Sequence, residues 1–82
     1  MEVIYVTYIL YSSSLGKYYI GQTDDFEKRF KQHNSGQSKF TKQGVPWNLV
    51  WQMEFFSRSE AVKLETQIKK RGAQRYLENI VL

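Results

Sequence analysis

Residues 3–10, VIYVTYIL, form a near-continuous run of β-branched and aromatic side chains. Such residues crowd a helix but fit a pleated surface, so the run reads as a strand. A half-buried strand alternates apolar with polar residues. This one does not, so it is expected to be covered on both faces. In a chain of 82 residues that requirement is severe, because one domain (residues 1–82) with one small sheet has to supply both covering layers. Five Phe, six Tyr and two Trp are available for this, and each ring buries a large area. Cysteine is absent, which excludes disulfide staples, thiolate metal sites and thiol nucleophiles and favours a reducing compartment.

The rest of the chain divides around that strand. SSSLG (12–16) reads as a turn and KYYIGQT (17–23) as a second strand, making a hairpin. With Ser12–Leu15 as the loop, Tyr11 faces Gly16 and Tyr8 lies directly opposite Tyr19. Asp24 with Glu27 three residues on resembles a capping box and opens a helix that ends at NSG (34–36). GQSKFTKQGVP (36–46) is polar, bounded by glycine and carries the single proline, as an exposed loop would. WNLVWQMEFF (47–56) is the third strand, and Ser57 with Glu60 caps a helix through SEAVKLETQIKKR (59–71). After Gly72, AQRYLENIVL (73–82) is expected to be a short terminal helix. The order is ββαβαα, an α/β (α+β) domain with a small sheet.

The start of the chain lacks the basic segment of a signal peptide, and its apolar run is far short of the ~20 residues that span a bilayer. A cytoplasmic protein without a membrane partner is expected. The net charge is +4, with basic residues gathered at Lys39 and Lys42 and at Lys69, Lys70, Arg71 and Arg75. A modest positive balance fits a polyanionic partner.

The helices carry the informative anomaly. At about 100° per residue, i, i+3, i+4 and i+7 share one stripe. In the first helix that stripe is Phe26, Arg29, Phe30 and His33; in the second it is Ala61, Leu64, Glu65 and Ile68. Each core face therefore holds ionisable groups among its apolar anchors. A buried unpaired charge costs several kcal/mol, so two arrangements are open. Either Arg29 and Glu65 form an internal salt bridge with His33 as a hydrogen-bonded filler, or these groups line a cleft with the hairpin tyrosines. Arg, His, Glu and Tyr converging on one sheet edge suit phosphodiester cleavage: Arg stabilises phosphate charge, a carboxylate holds a divalent metal, and Tyr or His moves a proton. Other chemistries are excluded by pattern. A single His rules out a His-rich zinc site, and neither HExxH, a Walker loop nor a G-x-S-x-G elbow occurs.

Over essentially its whole length the chain resembles the GIY-YIG nucleases, most closely their small single-domain bacterial members. Tyr19, Ile20 and Gly21 stand as the YIG half of the signature, and Val6, Thr7 and Tyr8 occupy the place of Gly-Ile-Tyr, with the tyrosine kept. Arg29 and His33 match the Arg-x-x-x-His pair, and SEAVKLETQIKK matches the second-helix motif with its glutamate at Glu65. Gln22 stands where several relatives have lysine. The resemblance implies a three-stranded antiparallel sheet flanked by helices and an endonuclease using one Mg2+ or Mn2+ ion. It implies that Glu65 holds the metal, that Arg29 binds the phosphate, and that Tyr8 or Tyr19 is the general base with His33 orienting it or sharing its proton. Gly21 permits a bulge or a close backbone approach.

Lys39, Lys42, Lys69, Lys70, Arg71 and Arg75 are the expected phosphate contacts, and such contacts are sequence-neutral. The resemblance implies DNA as the substrate, and with sequence-neutral contacts it is expected to be chosen by shape (branched, flapped or damaged) or reached through a protein partner that directs the chain. Two other readings compete: a nucleic-acid-binding module of this fold that does not cleave, and a protein-interaction domain docking through Trp47, Trp51 or Phe40.

Overall fold

The computed structural model describes residues 3–80. Strand β1, Tyr5–Ser12, is the middle of a three-stranded antiparallel sheet, between β2 (Lys17–Thr23) and β3 (Trp47–Phe55). Every residue from Val6 to Leu10 is buried, as an unalternating apolar run requires. On one face Val6, Tyr8 and Leu10 pack with Trp47 and with Phe26 and Phe30 of helix α1, Phe26–Asn34. On the other, Ile9 packs with Ile68 of α2 (Arg58–Arg71) and with Ala73 of α3 (Ala73–Ile80). Thr7, on that second face, donates its hydroxyl to the Ala61 carbonyl at 2.8 Å, so its polar atom is satisfied inside the core. The element order and the sheet agree with expectation. Residues 81 and 82 of the expected terminal helix lie outside the described residues.

Two details of the sheet depart from expectation. Ser12 pairs with Lys17 and Tyr8 with Gly21, so Tyr19 faces Leu10 and not Tyr8. The shift is two residues, and because side chains alternate with period two it leaves both tyrosines on the same face. Tyr8 and Tyr19 become diagonal neighbours with ring centroids 6.4 Å apart. In β3, Trp51 pairs with Ile9 and Leu49 with Leu10, leaving Val50 as a bulge. One extra residue inverts the alternation beyond it. Trp47 and Trp51, four apart, therefore feed opposite cores.

The caps and the long loop also differ in part. Ser57 caps α2 as expected, accepting from the Glu60 N–H at 3.2 Å. The cap of α1 is Asp25, accepting from the Lys28 N–H, while Asp24 pairs with Arg58 at 3.3 Å. Residues 36–46 are no free loop. They include a short 3-10 turn, Lys42–Gly44, and bury Thr41 and Gly44. The Asn34 side chain accepts from the Trp47 N–H at 2.6 Å and donates to its carbonyl at 3.1 Å, imitating a strand partner. The Trp47 indole N–H donates to the Thr41 carbonyl at 2.7 Å. Trp47 is thus a clamp inside the fold, 4 % exposed, and is not the surface docking residue of the protein-interaction reading.

Gly21 is fixed by the ring opposite it. A Cβ there would lie 2.6 Å from Tyr8 Oη and 2.8 Å from Tyr8 Cζ, inside van der Waals contact. Gly21→Ala is expected to destabilise the fold by about 1–3 kcal/mol, the cost of overpacking a filled core. That cost should shrink in a Tyr8→Phe background, which removes the nearest atom. Urea midpoints of the two single variants and the double variant measure both quantities. An additive double variant would show that the Tyr8 ring is not held over Gly21.

Candidate active site

Tyr8 brings a hydroxyl into the core from the centre of β1, and the residue is only 1 % exposed. A buried hydroxyl needs a partner. It finds His33 Nε2 at 3.0 Å, on the last turn of α1. The other ring nitrogen, Nδ1, meets Thr41 Oγ1 at 2.9 Å. His33 and Thr41 are themselves buried, so phenol, imidazole and hydroxyl form one interior chain. A neutral imidazole donates at one nitrogen and accepts at the other. The chain can therefore run from the phenol towards Thr41 or from Thr41 towards the phenol.

The electrostatics define this chain further. Burial pushes the Tyr8 phenol well above its ordinary value; Tyr19 adds to the rise, Arg29 opposes it and Glu65 raises it again. Burial also holds His33 below its ordinary value, and the nearby Arg29 guanidinium lowers it further. The ring is thus a neutral acceptor near pH 7 rather than a cation. Arg29 and Glu65 come from helices on opposite faces of the sheet, yet the charges of both act on Tyr8.

Between the two arrangements the sequence left open, the internal salt bridge is not formed. Arg29 is exposed and lines an open cleft of about 450 Å³ with Thr23, Asp25 and Gln32. Glu65 pairs with Lys69 at 2.9 Å, one turn along its own helix. Tyr19 is half-buried, its ring 4.8 Å from His33 and edge-on to Trp47 at 6.1 Å. Of the two tyrosines, only Tyr19 has appreciable surface open to solvent. Gln22 points to the other face, where Arg58 donates to its side-chain oxygen at 3.0 Å. A cation therefore sits beside this position without being part of it.

The basic residues separate into two groups. Lys39 and Lys42 are exposed in the segment before β3, on either side of buried Thr41. Lys69, Lys70 and Arg71 occupy the last turn of α2, where cations favour the helix dipole. Lys69 is engaged by Glu65, and the Arg71 guanidinium lies against the Asn79 side-chain amide of α3. Lys70 and Arg75 are exposed. Sequence reasoning missed Thr41, Asn34 and Trp47 as supports of the site. Only the Asn34 position, at a helix end, carries a local signal.

For a divalent cation the chain offers Glu65. Among the described residues no group of three His, Cys, Asp or Glu side chains converges, so no all-protein cage exists. One carboxylate does fit Mg2+, which keeps waters and takes one or two carboxylates plus substrate phosphate oxygens. Glu65 Oε1 makes no hydrogen bond among the described residues, Lys69 being on Oε2.

Comparison with known proteins agrees with this architecture. A family model described as the GIY-YIG catalytic domain matches residues 4–77. A UPF0213 protein of Staphylococcus saprophyticus is 44 % identical over 66 residues, 79 % of this chain and 80 % of the relative. A UPF0213 protein of Staphylococcus aureus is 39 % identical over the same length and shares. The solution structure of a UPF0213 protein from Bacillus halodurans superimposes with a TM-score of 0.59 at 30 % identity, over 95 % of this chain and 83 % of that one. The chain belongs to the GIY-YIG catalytic domain family.

Proposed function

We propose that this chain is a metal-dependent DNA endonuclease that hydrolyses phosphodiester bonds by in-line attack of water, selecting DNA by shape rather than by sequence. The observation that carries the reading is the buried Tyr8–His33–Thr41 chain, set beside half-buried Tyr19 and under the charges of Arg29 and Glu65.

The residues divide by accessibility. Tyr19 and Arg29 are the groups a substrate can reach, so Tyr19 is the general base that takes the proton of the attacking water. Arg29 binds the scissile phosphate and stabilises the charge that develops on its oxygens. Tyr8 and His33, each 1 % exposed, touch no substrate. They are positioning residues whose hydrogen bond fixes the imidazole against the Tyr19 ring. Glu65 holds Mg2+ or Mn2+, which when bound neutralises phosphate charge and assists departure of the leaving oxygen. Lys39, Lys42, Lys70 and Arg75 supply sequence-neutral phosphate contacts. The Lys69–Glu65 pair favours the second reading, a binding module that does not cleave, because it occupies the carboxylate. The same experiment separates the two.

Cleavage of nicked, flapped, four-way and plain duplex DNA with Mg2+ or Mn2+ is expected from the wild type. It should disappear in Glu65→Ala and Arg29→Ala. Tyr19→Phe is expected to lose roughly 10²–10⁴-fold in rate, the usual worth of a general base, with DNA affinity kept. Tyr8→Phe should lose less rate and more stability. The reverse ranking would move the base to Tyr8, and a wild type that binds DNA without cutting any of these substrates would leave the binding module.

The proton linkage of His33 gives a second expectation. Its folded pKa lies below the ordinary value, so the unfolded chain takes up its proton first as pH falls. Stability should be flat above about pH 7 and fall as pH drops through about 6.5, by at most ~1.4 kcal/mol per pH unit for one proton. His33 is the single histidine, so urea midpoints between pH 8 and 5 can be assigned to it. In His33→Gln this component of the slope should vanish. An unchanged slope in that variant would refute the assignment.

A further inference from the structure

Phe40 is the most exposed large apolar side chain among the described residues, at 90 %. An isolated exposed ring is ordinary on a flexible loop, but this segment is tied down on both sides of it. The Ser38 carbonyl accepts from the N–H groups of Thr41 and Lys42 at 3.3 and 3.0 Å. Thr41 itself is fully buried, with its hydroxyl on His33 and its carbonyl on the Trp47 indole. Gly44 closes the segment under the Trp47 ring, where a Cβ would meet Trp47 Cε2 at 2.7 Å. Phe40 therefore projects from a fixed turn whose next residue touches the site. It is flanked by exposed Lys39 and Lys42.

We infer that Phe40 is a stacking platform for an unpaired nucleobase, with Lys39 and Lys42 taking the phosphates on either side of it. This deepens the nuclease reading and rests on it for the identity of the polymer. The surroundings decide the occupant. A protein-docking patch is a contiguous apolar area depleted of lysine, whereas Phe40 stands singly among Lys39, Lys42, Ser38 and Gln43. One ring between two cations matches the repeat of a single strand, where bases offer π-faces and phosphates offer charge. The platform also supplies what phosphate contacts alone do not, a preference for DNA whose bases are unstacked near the cleavage site.

The test measures binding by fluorescence anisotropy with EDTA present, so that neither metal nor cleavage enters. The probes are labelled oligothymidylate, an abasic strand of equal length and charge, and a plain duplex. Wild type is expected to prefer oligothymidylate to the abasic strand by about 5- to 150-fold, the range that stacking of one base spans. Phe40→Ala should reduce oligothymidylate to the abasic value while leaving duplex binding and the urea midpoint unchanged. Phe40→Trp should retain the preference. Equal affinity of the wild type for the two single strands would overturn the proposal, as would a preference that survives Phe40→Ala or an equal loss on all three probes. A preference for bases in a protein that cuts nothing would remove the nuclease reading and leave the stacking site standing.

Discussion

The Tyr8 hydroxyl has to be hydrogen-bonded. Left unpaired at that depth it would cost about 1–3 kcal/mol, and its partner, His33 Nε2, ties α1 to the central strand. The consequence spreads from there. Seating the ring above β2 requires glycine at the paired position, because Tyr8 Oη occupies the space of a side chain at Gly21. Holding the imidazole requires a second partner, so Thr41 is drawn into the interior and the segment before β3 is folded onto Trp47. One polar contact thereby couples both edge strands, a helix and a loop. It leaves the site on packed elements, which hold geometry better than free loops do.

The charged residues show how a small core tolerates ionisable groups on its inward stripes. Burying Arg29 against Glu65 would require desolvating both, and the attraction regained rarely exceeds that cost. The fold instead keeps the guanidinium in an open cleft and leaves the carboxylate at the margin with Lys69. Only the neutral members, Tyr8 and His33, go fully inside. Both ends of the pH range then work against the fold. The imidazole resists protonation in acid, and the phenol resists ionisation in base.

Much of this was legible from residue pattern. The doubly covered strand, the element order and the Ser57 cap follow from local composition, and so does the sharing of one face by Tyr8 and Tyr19. The hairpin register was misread because SSSLG allows loops of similar length differing in which serine leads. The error of two residues left the side-chain faces intact, so the site survived it. Asp24 and Asp25 are equivalent as caps until Arg58, 34 positions after Asp24, pairs with the first of them. The bulge at Val50 and the burial of Thr41 leave no local trace. A threonine in a polar stretch is indistinguishable from its neighbours until the imidazole it supports is in place.

Glu65 is the point at which structure and proposed chemistry pull in different directions, and magnitudes decide between them. An exposed i,i+4 pair stabilises a helix by roughly 0.3–0.5 kcal/mol. Lys69 is about half exposed, and its partner is more buried at 18 %, so the pair is worth somewhat more than that. On the proposed reading, a divalent cation held by Glu65 would compete easily with an interaction of this size. Lys69 released from Glu65 would then exchange a carboxylate for a phosphate, one anion for another. The ion pair therefore keeps a lone, partly buried carboxylate compensated, and on the proposed reading it would offer little resistance to a metal and a polyanion arriving together.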